Sequence, residues 1–160
     1  AIRNSLSFIF LISLKKEGFT IIEVLIVLAI AGLILLVVFL AVPSLQRNSR
    51  NTQRKDDVTA LLGAVNEWTN NNNGSLPTVG AQQTAALQNA KLNIYTGNVT
   101  WLAGAQTNAT TTSPDTAVIV TGAKCDTTVV GNTLGGSTRQ LAIMFTLETG
   151  AGSQKSCIDS

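Results

Sequence analysis

The chain has 160 residues, 11 Lys+Arg against 9 Asp+Glu for a net charge of +2, and 12% charged against 45% hydrophobic residues. So weak a charge balance announces neither a nucleic-acid binder nor an acidic tail. With no His and two Cys, the commonest general base is missing and no Cys/His structural zinc site can form, which speaks against an enzyme and implies no metal or cofactor.

The length suits one small domain, but the average conceals a split. From Phe19 to Val42 only Thr20, Glu23 and Gly32 are not apolar in 24 residues. From Ser44 to Ser160, Leu, Ile, Val and Phe number 23 of 117 and Ser, Thr and Asn 39, close to the lower limit for a self-supporting core. Before the split, Arg3, Lys15 and Lys16 flank a largely apolar run over residues 5 to 14. As a helix the 24-residue segment spans about 36 Å, enough to cross a bilayer core of about 30 Å. It is too long for the apolar part of a cleaved secretory signal. Charges do not settle its orientation, because Arg47, Arg50, Arg54 and Lys55 follow it. Cys125 and Cys157, in the polar region, are most simply read as a disulfide formed outside the cytoplasm, reduced thiols being the alternative.

Glu23 lies four residues inside the apolar segment. An ionised carboxylate there costs about 3 kcal/mol, so a function is the default reading and snorkelling to the headgroups the alternative. The only cations near it in sequence are the flanking Lys15 and Lys16.

The string Lys15-Lys16-Glu17-Gly18-Phe19-Thr20-Ile21-Ile22-Glu23, continuing apolar to Gly32, resembles the leader junction and amino-terminal helix of bacterial type IV prepilins. The resemblance implies that a prepilin peptidase cuts between Gly18 and Phe19 and methylates the new Phe19 amine, with Lys15 and Lys16 as the basic end of the leader. It implies a homopolymeric filament subunit, handled by a pilus assembly platform. Such a subunit is held in the cytoplasmic membrane as a precursor and becomes extracellular in the pilus, with roles in surface adhesion and twitching motility. A minor pilin or a type II secretion pseudopilin shares the same amino terminus. A membrane-anchored extracytoplasmic binding domain that never polymerises is a further alternative. Chemically, cleavage creates a cation at Phe19 that can approach Glu23 of an adjacent subunit; breaking such a pair leaves an uncompensated charge, so the pair can set register between packed helices. Gly18, without Cβ, admits a protease to the backbone. The expected organisation is a leader over 1–18, a membrane or filament-core helix over 19–43, and a globular domain over 44–160.

Pro43 is expected to kink or locally melt the helix. Beyond it, Val58, Leu61, Leu62, Val65 and Trp68 fall on one helical face, and Asn70 to Gly74 with Pro77 stop the helix. One long helix from about Phe19 to Thr69 follows. The cluster Arg47, Arg50, Arg54 and Lys55 lacks interleaved aromatics, so nucleic acid is not indicated; solvation, or pairing with Asp56, Asp57 or neighbouring subunits, is expected. A brief helix is expected over Ala85 to Leu92. Val99 to Leu102, Ala117 to Thr121, Thr127 to Val130 and Gln140 to Leu147 are β-rich. The fold class is α+β: a long helix, apolar in its first half, packed on an antiparallel sheet of three or four strands. Gln106 to Pro114 reads as an exposed loop. Asn73, Asn98 and Asn108 begin Asn-x-Ser/Thr triplets, and Asp115, Asp126, Glu148 and Asp159 are scattered without a calcium-loop motif.

Overall fold

A computed structural model describes residues 18–104 and 113–160. The described residues up to Leu40 form one compact unit and Ala41–Ser160 another. The leader residues Lys15 and Lys16, most of the Gln106 to Pro114 loop, and Asn108 lie outside the described residues.

Helix α1 covers Ile21–Asn71. It continues through Pro43 without melting there. A proline inside a helix removes one hydrogen bond and leaves the rest of the ladder in place; next to it Ser44 Oγ donates to the Ala41 carbonyl at 2.8 Å. At the other end Asn73 takes the left-handed conformation (φ 56°), and the Gly74 N–H donates to the Thr69 carbonyl at 2.8 Å. That six-to-one bond closes the helix with Asn where glycine is commoner. Gly74 has a φ of +78°, where any side chain is strained, and a Cβ there would also push the Arg139 guanidinium aside.

Val58, Leu61 and Val65 are buried against the sheet as the helical spacing requires, whereas Trp68 is half-buried and Thr69 takes the buried position of the last turn. Helix α2 is Gly80–Leu87, about one turn earlier than expected, because the Gln82 carboxamide oxygen reaches back to the Thr78 N–H at 3.1 Å and starts the helix there.

The strands are β1 (Val99–Ala103), β2 (Ala117–Thr121), β3 (Ala123–Cys125), β4 (Thr133–Gly135), β5 (Leu141–Thr149) and β6 (Gly152–Asp159). The main sheet has the order β1-β2-β5-β6, and β3 pairs with β4 in a small second sheet. The main sheet departs from an all-antiparallel expectation in one place: β1 runs parallel to β2, while β2–β5 and β5–β6 are antiparallel. The segment Thr127 to Val130 is a turn rather than a strand. Asp126 Oδ1 accepts from the Thr128 N–H (2.7 Å), the Thr128 hydroxyl (2.6 Å) and the Val129 N–H (3.2 Å), and such an Asx turn overrides the β propensity of two valines. Strand β6, poor in apolar residues, is held by register with β5 from Ala142↔Asp159 to Thr149↔Gly152.

The alternation of β2 and β5 divides the core in two. Ile119, Leu141, Ile143 and Phe145 face Val58, Leu61 and Val65 of α1. Val118, Val120, Ala142 and Met144 pack with Ala123, Cys125 and Cys157 on the other side. Both central strands are thus covered on both faces, which is why they read as continuous apolar runs.

Candidate assembly and processing site

Phe19 and Gly18 precede the first turn of α1; Phe19 is 88% exposed, and nothing lies within 4 Å of where a Cβ on Gly18 would stand. From Ile21 to Val42 every large apolar side chain is exposed, on a helix long and apolar enough to cross a membrane. Glu23 is not bare among them. Its Oε2 accepts from the Thr20 N–H at 2.8 Å and from the Thr20 hydroxyl at 2.7 Å, while the Glu23 N–H donates to Thr20 Oγ1 at 3.3 Å. Thr20 is therefore the N-cap and Glu23 the N3 residue of a reciprocal capping box, and the carboxylate sits where the helix dipole favours negative charge. Oε1 takes part in none of these bonds. The sequence reading sought only a cation for Glu23 and missed Thr20, although Thr-x-x-Glu before an apolar run is itself the signal.

In the polar half of α1 the basic cluster does not meet Asp56 or Asp57. Arg54, 1% exposed, donates to Glu148 Oε1 (2.6 Å), Asp115 Oδ1 (3.0 Å) and the Pro114 carbonyl (2.9 Å). Arg50 forks onto both oxygens of Glu148. Between them Asn51 exchanges two bonds with the Glu148 backbone, Nδ2 to its carbonyl (2.7 Å) and Oδ1 from its N–H (2.8 Å). Arg50 first and Arg54 second pull the Glu148 carboxyl down to about 2. The cluster pins α1 to the end of β5.

Asp57, 1% exposed, is an internal anchor. Its carboxylate accepts from the backbone N–H groups of Asn93, Ile94 and Tyr95 at 2.7 to 3.1 Å and from Asn93 Nδ2. Lys55 and Asp56 are exposed. Of the scattered carboxylates, Asp126 caps its turn and Asp159 Oδ2 accepts from the Cys125 N–H at 2.8 Å. Among the described residues no cluster of three potential metal ligands occurs. Cys125 and Cys157 form a disulfide joining β3 to β6.

Residues 13–39 match the family model for the prokaryotic N-terminal methylation motif. The chain carries that motif. With the long apolar helix and the Cys125–Cys157 disulfide, it fits a type IV pilin. No curated protein and no solved structure matches the chain. The motif covers the Gly18–Phe19 junction and the capped first turn of α1, so the resemblance rests on this end of the chain.

Proposed function

We propose that the protein is a structural subunit of a type IV pilus filament. The observation that carries this reading is a fully exposed apolar half-helix that begins, within the methylation motif, at the capping box of Thr20 and Glu23. So much apolar surface requires a bilayer or copies of itself. In this reading residues 1–18 are the leader, 19–43 the membrane or filament-core segment and 44–160 the globular domain. A prepilin peptidase cuts after Gly18 and methylates Phe19, and the assembly platform moves the subunit from the cytoplasmic membrane into an extracellular pilus.

Two donors from Thr20 hold one oxygen of Glu23, and the other is left to accept the Phe19 amine of an adjacent subunit. Each copy then offers an amine at one point and a carboxylate at another. Head-to-tail contacts of this kind do not close and generate a filament. The protein acts as a building block, not a catalyst, and adhesion and twitching motility are the roles such a filament serves. A minor pilin or type II pseudopilin has the same end, and abundance separates them.

Intact-mass and N-terminal peptide analysis of protein sheared from the cell surface tests the proposal. An abundant chain beginning at Phe19 is expected. Glu23→Gln keeps an acceptor for Thr20 and removes the charge, so it is expected to be cleaved normally and to assemble poorly. A chain retaining residues 1–18 and found only in membranes would replace this reading with an anchored binding domain.

A further inference from the structure

A concavity of the polar domain lies between α2, the segment that follows it, and β1, with a volume of about 770 Å³, within the ~300–1,000 Å³ usual for small-ligand sites. Its apolar lining includes Leu87, Leu92, Val99 and Trp101, each half-buried. Polar side chains complete it. Gln83 and Gln88 have no side-chain hydrogen bond among the described residues, so each presents an amide donor pair and an acceptor. The hydroxyls of Thr84 and Thr96 donate to the Gly80 and Leu92 carbonyls, at 2.9 and 2.8 Å, which leaves their oxygen lone pairs to accept. Lys91 is the single charged residue of the lining, without an ion-pair partner among the described residues, and no carboxylate faces it there.

We propose that this groove binds a carboxylated saccharide. An aromatic face is electron-rich and attracts the polarised C–H bonds of a pyranose ring, and the half-buried Trp101 is the aromatic side chain of the lining. A sugar hydroxyl both donates and accepts, and it matches a lining of free amides and acceptor hydroxyls. Lys91, with no opposing carboxylate, selects an anionic over a neutral sugar. None of these residues belongs to the amino-terminal assembly end, so the inference stands independently of filament formation.

The test is isothermal titration of the full-length processed chain in detergent with sialyllactose, a saccharide with one carboxylate, and with lactose, its neutral part. Binding of sialyllactose on the order of millimolar is expected, with lactose weaker. Trp101→Ala is expected to weaken sialyllactose binding by about tenfold, and Lys91→Gln to abolish the preference over lactose. If Trp101→Ala fails to fold, Gln88→Ala combined with Lys91→Gln, both at exposed positions, decides the matter. Absence of sialyllactose binding, equal affinity for lactose, or binding that these substitutions leave unchanged overturns the proposal. Selective binding of an acidic peptide in place of the sugar overturns it as well.

Discussion

Replacing Glu148 by Gln tests whether the polar half of α1 is held to the sheet by charge. In the folded chain the carboxyl is lowered from 4.5 to about 2, a difference equivalent to about 3 kcal/mol if no solvent screened it. The Glu148 side chain is 21% exposed and that of Arg50 45%, so screening reduces the contribution to about 1–2 kcal/mol. The same broken interaction can be gauged from its other partner. Arg54 is 1% exposed and keeps only Asp115, itself 61% exposed, as a charged partner. Breaking a fully buried pair costs about 3–5 kcal/mol, and the surviving Asp115 bond brings the expected loss to about 2 kcal/mol. Unfolding of the full chain in detergent, followed by near-ultraviolet circular dichroism, should show a midpoint lowered by about 6 °C. The pH dependence gives a second readout. Because the folded pKa is depressed, the stabilisation is complete above the ordinary value of 4.5 and is lost as pH falls toward about 2. Wild type should therefore weaken through that window, and Glu148→Gln should be flatter. A variant as stable as wild type to within about 0.5 kcal/mol, with an unchanged acid profile, refutes the reasoning.

Cys157→Ser opens a bridge across a sequence separation of 32 and should cost about 3 kcal/mol, with wild type in reductant matching the variant in the same unfolding assay. Asp57→Ala strips three backbone N–H groups of their acceptor; a loss of about 2–3 kcal/mol is expected, with faster amide exchange at Asn93, Ile94 and Tyr95. Tyr95 is fully buried, its hydroxyl has no hydrogen-bond partner among the described residues, and burial pushes its pKa up. Tyr95→Phe should therefore leave stability within about 0.5 kcal/mol of wild type or raise it, and a loss above about 1 kcal/mol in denaturant titration contradicts that.

The sequence by itself determined whatever depends on neighbours along the chain. The apolar run, its carboxylate at Glu23 and the Gly18–Phe19 junction are contiguous, and the buried face of Val58, Leu61 and Val65 follows from helical period alone. The disulfide was also readable, because only two cysteines are present. Even the Thr20–Glu23 box lay in plain view as a four-residue pattern. Tertiary structure decided the rest. Arg50 and Glu148 stand 98 positions apart, and no local pattern favours Glu148 over the nearby Asp56 and Asp57 as their partner. Strand β6, with few apolar residues, becomes a strand because β5 offers it a free edge. The valines at 129 and 130 go the other way, since one side-chain oxygen of Asp126 claims the backbone first. The groove beside Trp101 is lined from one stretch, Gly80 to Trp101, but exists only once that stretch folds back on itself between α2 and β1.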